Sequence, residues 1–222
     1  LIGIHEKSDQ IKLINFDLPE KKKTKDDIRG FQRIYQVNFS SDGRSLIFSA
    51  QNRGQTDIYL FELSMTRPTQ LTNDIFDDSY PTMIQLSGAN GILFSSNRPD
   101  ENISGATYDS ILPVGNYNLY FLNLDNPSLD PIKITSFPTE NQTQSAQIND
   151  KYFSFLSDEN GIINLYQGQL DSSFLRIDTI QEGDAYSFDS IYTFTSSIEP
   201  LSDMNANIIE ASIAQKGNKW AY

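Results

Sequence analysis

Cysteine is absent from the 222-residue chain, which excludes disulfides and thiolate metal sites. Histidine occurs once, at His5. A zinc site would then need mostly carboxylate ligands, an unusual set, and a lone histidine reads as an ordinary surface or core side chain. Positive charge is scarce: 17 Lys and Arg stand against 29 Asp and Glu, for a net charge of −12. That balance argues against nucleic acid, whose phosphates call for Lys and Arg, and against an anionic membrane surface. The one basic run, Lys21-Lys22-Lys23-Thr24-Lys25, meets Asp26-Asp27 at once and reads as a solvated turn, with Lys21–Asp27 covering either the fourth strand of its blade or a loop. No apolar run approaches the ~18 residues of a membrane-spanning helix. Also missing are a Gly-x-Ser-x-Gly elbow, a phosphate-binding loop, a dinucleotide glycine motif and an Asp-rich calcium loop. Carboxylate pairs such as Asp26-Asp27 and Asp77-Asp78 fall in turns, as does the Pro-containing stretch Asp125–Asp130. We therefore expect no enzyme chemistry, no cofactor and no metal.

What the chain has is a repeat. From Val37 to Asn73 it reads VNFSSDGRSLIFSAQNRGQTDIYLFELSMTRPTQLTN, in which short apolar runs are separated by turn signals. Asp42-Gly43 suits a tight turn, because glycine tolerates positive φ and aspartate tolerates the left-handed region. Runs rich in Ile, Leu, Phe and Tyr between such turns predict an antiparallel meander. Asp57-Ile58-Tyr59 recurs as Asn118-Leu119-Tyr120 and Asn164-Leu165-Tyr166, with a fainter copy around Lys12. The preceding strand recurs at Ile47, Leu93 and Phe153, the following one at Leu71, Ile134 and Leu201. Equivalent positions 12, 59, 120 and 166 are spaced by 47, 61 and 46 residues. Four strands per unit at that period predict an all-β fold, a β-propeller of four-stranded antiparallel blades. We divide the single domain into a partial blade at 1–29, blades at about 30–73, 74–136 and 137–203, and a partial blade at 204–222. The chain starts with Leu1 inside a strand and stops at Tyr222 in mid-hairpin, so we expect a mature or partial segment. Such a segment would either close as an unusually small ring or, as we favour, belong to a ring of six to eight blades.

These repeats resemble the WD40-like repeat of the TolB β-propeller proteins, in which a Phe-Ser-x-Asp-Gly turn, an Ile-Tyr strand and a Gln-Leu-Thr strand recur. The likeness is sharpest at FSSDGRSLIF, DIYLFEL and QLTN and fades before Tyr35. The Asp-Gly turn is complete only at Asp42-Gly43; Ser87–Gly91, Asn149-Asp150 and Gln215–Asn218 stand at the matching places. The resemblance implies a non-enzymatic interaction scaffold of the bacterial cell envelope, periplasmic or associated with the outer membrane. Its expected partners are other envelope proteins, an outer-membrane complex among them. A second reading stays open, the non-catalytic propeller of a prolyl-oligopeptidase-like serine peptidase; a Gly-x-Ser-x-Gly motif beyond Tyr222 would separate the two.

Alternation along strands predicts Phe39, Ile47, Tyr59, Phe94, Tyr120, Phe153 and Tyr166 in the core between blades. Two stretches stand outside the repeat as insertions, Asn97–Asn116 and Asp171–Tyr192. The first reads either as a partner contact or as neutral decoration. Meander geometry places it on one rim with the crossovers 73–79, 136–142 and 203–207, and places Asp171–Tyr192 on the other. The first rim gathers acids and aromatics, and the candidate partner-binding residues are Asp77, Asp78, Tyr80, Asp100, Glu101, Tyr108, Phe137 and Glu140. Acidic groups around aromatic anchors would suit a basic or polar protein partner.

Overall fold

The computed structural model describes residues 2–7, 10–17, 19–86, 88–99, 115–126, 130–182, 185–214 and 219–221. Among them no helix occurs, and the strands group into five antiparallel sheets. The first has three strands, β1 (Ile2–Lys7), β2 (Gln10–Asp17) and β3 (Lys22–Ile28). The second holds β4 (Arg33–Phe39), β5 (Ser45–Asn52), β6 (Gln55–Glu62) and β7 (Thr69–Gln70). The third holds β8 (Asp78–Leu86), β9 (Ala89–Ser96), β10 (Asn118–Asn123) and β11 (Ile132–Lys133). The fourth holds β12 (Gln142–Gln147), β13 (Tyr152–Ser157), β14 (Asn164–Glu182) and β15 (Ala185–Pro200). A hairpin of β16 (Ser212–Ala214) and β17 (Lys219–Ala221) completes the set. Each four-stranded sheet runs in chain order from inner to outer strand, the meander the repeats predict.

The two faces of the second and third sheets bury different neighbours. In the second sheet Leu46, Phe48, Tyr59 and Phe61 pack on Ile11, Leu13 and Ile28 of the first. The intervening side chains Ile47 and Ile58 pack the other way, on Ile92, Phe94, Tyr120 and Leu122 of the third. Leu93, Leu119 and Phe121 of the third then meet Phe153, Phe155, Tyr166 and Phe194 of the fourth. Period-two alternation thus lets the second and third sheets each serve two interfaces. Six of the seven expected core residues are buried, and Phe39 is the exception at 46% exposure. It is the last residue of β4, next to the turn in which Asp42 Oδ1 accepts from Arg44 N–H at 2.9 Å and Gly43 takes φ 68°.

The first strand of each four-stranded sheet carries an irregularity at the same place. Register shifts fall between Ile34 and Val37, Ser79 and Thr82, and Thr143 and Ala146. Tyr80 and Gln144 occupy equivalent bulge positions at φ 51° and 52°. Bulges bend and twist a strand, and here they join neighbouring inner strands through side chains. Asn38 Nδ2 donates to Pro81 O at 2.8 Å, Thr82 Oγ1 to Ser145 O at 2.6 Å, and Gln144 Nε2 to Ile209 O at 2.9 Å.

One alternative is decided for strand, and one expectation of a loop gives way to it. The basic run forms β3, the outer strand of its sheet, with Lys22, Lys23 and Lys25 exposed; lysines on an outer strand discourage edge-to-edge pairing. Asp171–Tyr192 is an extension of the fourth sheet. β14 and β15 stay paired from Tyr166↔Pro200 out to Glu182↔Ala185, with one bulge between Phe174 and Arg176. The Ile, Phe and Tyr spaced along this stretch favour strand, and they override the expectation of a loop drawn from its position outside the repeat.

Candidate functional site

The crossover from the second sheet to the third is built on an arginine. Arg98 follows β9 and folds back over its own sheet, with its guanidinium over the rings of Phe76, Phe94 and Tyr120 at 5.6, 5.4 and 5.7 Å. Its two terminal nitrogens grip both oxygens of Asp78, at 2.5 and 2.9 Å, and Nη2 also donates to Asp74 Oδ2 at 2.5 Å. Nη1 adds Ser96 Oγ at 2.7 Å, and the Tyr120 hydroxyl donates to Arg98 O at 2.8 Å. A planar fork with five donors fits this box as an ammonium cannot. Burial pushes the Asp78 carboxyl up to about 6 despite the pull of the guanidinium.

Asp78 is therefore a correction to the expected binding surface. Its exposure is 0%, and both its oxygens are taken by Arg98, so it lies beneath the expected surface and ties the crossover to the third sheet. Asp77, Tyr80, Phe137 and Glu140 are half-buried on or near the rim. Asp77 N–H donates to Asn97 Oδ1 at 2.9 Å. Glu140 accepts from the Thr139 hydroxyl at 2.6 Å and from Thr139 N–H at 3.0 Å, and these bonds hold its carboxyl below the usual range. Asp100, Glu101 and Tyr108 lie outside the described residues. The flanks of their segment do adjoin the crossovers: Asn116 Nδ2 donates to Pro138 O at 2.7 Å and Tyr117 N–H to Asn141 Oδ1 at 3.1 Å.

A second set of polar residues repeats with the sheets. At the start of each third strand stands Asp57, Asn118 or Asn164, each buried. The next backbone N–H donates to a hydroxyl beyond the fourth strand: Ile58 to Thr72 at 3.0 Å, Leu119 to Thr135 at 2.8 Å and Leu165 to Ser202 at 2.9 Å. Asn118 Oδ1 and Asn164 Oδ1 also accept the crossover N–H groups of Phe137 and Met204, at 2.9 and 2.8 Å. This lock fixes where the chain leaves each sheet. Its signal is present in the sequence as Asp/Asn-Ile/Leu-Tyr followed by Leu/Ile-Thr/Ser.

Asp57 is the odd member, an acid where two repeats have an amide. Burial, with Asp78 and Asp74 nearby, pushes its carboxyl up to about 7, at 2% exposure. The folded protein thus takes up a proton below about pH 7 that the unfolded chain binds only near pH 4. Stability should rise as pH falls from 8 to 5, by up to about 3 kcal/mol, at ~1.4 kcal/mol for each pH step of one below 7. Asp57→Asn should remove most of that dependence and raise stability at pH 8, because an amide supplies the donor that Asn118 uses toward Phe137 O at 3.3 Å. Urea unfolding at pH 8, 7, 6 and 5 measures it; equal slopes for both proteins would contradict the assignment.

Between the bulged inner strands lies an open cleft of ≈ 530 Å³. Its lining mixes amides and hydroxyls from Gln36, Asn38, Tyr80, Thr82, Gln144 and Ser145 with the apolar Val37, Ala146, Ile209 and Ile213, and Tyr80 places it beside the Asp74–Asp78 crossover.

No family model and no curated protein matches the chain. Solved structures do. One is TolB from Acinetobacter baumannii, at 16% identity over 89% of this chain and 53% of that one, with a TM-score of 0.49; the chain spans about half the length of that protein. A second is the putative TolB from Agrobacterium tumefaciens, at 9% identity over 90% of this chain and 86% of that one, with a TM-score of 0.50. A third is a puromycin-hydrolyzing peptidase from Mycobacterium tuberculosis, at 11% identity over 71% of this chain and 32% of that one, with a TM-score of 0.32. The four-stranded meanders packed face to face and the overlay on the Agrobacterium structure agree: the chain has a TolB-like β-propeller fold.

Proposed function

We propose that this propeller is a non-enzymatic scaffold that holds a protein partner against its crossover rim, in the bacterial periplasm or at the outer membrane. The observation that carries the reading is the Arg98 box, which locks the 74–78 crossover to the third sheet and so fixes neighbouring side chains for contact. Pre-ordered side chains lose little entropy on binding. Asp77 and Glu140 supply negative charge and Tyr80 and Phe137 supply rings, a combination suited to a basic partner with an apolar centre. The TolB-like repeats and fold support the envelope location in this reading.

The test is recovery of partners from envelope extract on the immobilised protein, at low and high salt. The triple change Asp77→Asn, Glu140→Gln, Phe137→Ala should reduce recovery at least about tenfold, a loss of ~1.4 kcal/mol or more. High salt should weaken the wild type. If recovery survives that change but is lost on removing 173–190, the binding face is the other one.

A further inference from the structure

The extension of β14 and β15 has two unlike faces. Cross-strand partners share a face, so the register puts Phe174 with Tyr192, Ile177 with Ser190, and Thr179 with Phe188. Along β15, Tyr186, Phe188, Ser190 and Tyr192 alternate onto that same side. None of these residues carries a charge. The opposite face holds the Arg176–Asp178 ion pair at 2.6 Å. Near the body of the protein the uncharged face is covered, where Phe194 meets Phe121 with ring centroids 4.8 Å apart. Farther out it is bare: Phe188 is 74% exposed, Tyr186 62%, Ile177 58%, Phe174 56% and Tyr192 45%.

We propose that this arm is a self-association surface, on which two copies of the chain pack their uncharged faces together about a two-fold axis. Two observations select a second copy. The first is area. Four aromatic rings exposed by about half or more, with Ile177 and the small residues between them, present roughly 600 Å². A single patch that size is at the upper end for a monomer, and two brought together bury roughly 1,200 Å², the lower bound of a specific interface. The second is charge. Each copy carries a net charge of −12, so like copies repel wherever acids face acids. A charge-free face lets them meet without that opposition, and an apolar ribbon is complementary to itself, as a two-fold interface requires.

The experiment is sedimentation equilibrium on the full chain, with symmetric cross-linking to identify the face. A dimer with a dissociation constant on the order of 10 μM is expected for an interface of this size. The double change Tyr186→Ser, Phe188→Ser alters only exposed side chains and should weaken it by at least about tenfold with an unchanged melting temperature. Because the protein has no cysteine, a single introduced thiol reports one position. Thr179→Cys should yield a disulfide-linked dimer on mild oxidation, and Ser187→Cys, on the opposite face, should yield far less. The proposal is overturned by a monomer at all concentrations up to several hundred μM, including one whose arm another protein occupies. A dimer indifferent to the double change, or equal cross-linking from both thiols, overturns it as well.

Discussion

Replacing Arg98 with Met should destabilise the fold by about 3–5 kcal/mol, the usual consequence of removing one partner from a buried ion pair. The size follows from what the change leaves behind. Asp78 is completely buried and both its oxygens point at the guanidinium. Without Arg98 that carboxylate must stay ionised without a partner or take up a proton at a cost. Three ring contacts go as well, each worth roughly 0.5–2 kcal/mol where the cation is shielded from water. Arg98→Lys should recover little, because an ammonium cannot bridge both Asp78 oxygens and Asp74 while lying flat against aromatic rings. Arg98→Met combined with Asp78→Asn should recover a substantial part, since a neutral side chain is far cheaper to bury. Urea denaturation at pH 7.5 measures all three. A loss below about 1 kcal/mol in Arg98→Met would mean that the crossover is held by its backbone contacts alone.

That box also marks where reading the sequence stops. The blades were legible, because each needs the same alternation of buried side chains; hence Ile47, Tyr59, Phe94, Tyr120, Phe153 and Tyr166 could be placed in the core by period alone. Asp78 could not be placed. In the string DIFDDSY it is one of several acids near a turn, and only folding brings it to an arginine 20 residues later. The Asp57, Asn118 and Asn164 locks were visible as repeated letters, but their hydroxyl partners lie 15 to 38 residues downstream and their purpose depends on the crossover geometry. The arm escaped for a different reason. The repeat gives the length of a blade, and nothing in that length says whether extra residues loop out or extend the strands. Local composition carried that information, in the run from Phe174 to Tyr192, and it outweighs the period.

The interface between the third and fourth sheets should prove the most sensitive to loss of volume. Phe153 is fully buried among Leu93, Leu119, Phe121 and Tyr166, and Phe153→Ala should cost about 3–5 kcal/mol, the transfer of a ring plus the cavity it leaves. The reason for the tight fit lies across the strand pair. Phe153 faces Gly168 in register, and a Cβ placed on Gly168 would come within 2.2 Å of the ring. A Cβ on Gly91 would also come within 2.2 Å of a phenylalanine ring, that of Phe121, though there the contact is diagonal, since Gly91 pairs with Asn123 and Phe121 with Leu93. Gly168→Ala alone should therefore cost about 1–3 kcal/mol by overpacking. Gly168 does not take a positive φ, so the cost is steric rather than a matter of backbone conformation. Combined with Phe153→Ala, the new methyl enters space the ring has vacated, and the double variant should be more stable than the sum of the singles by about 1–3 kcal/mol. Chemical denaturation of the four proteins closes the cycle. Additivity within about 0.5 kcal/mol would show that the ring and the glycine do not share that space, and the packing of the third sheet on the fourth would need to be redrawn.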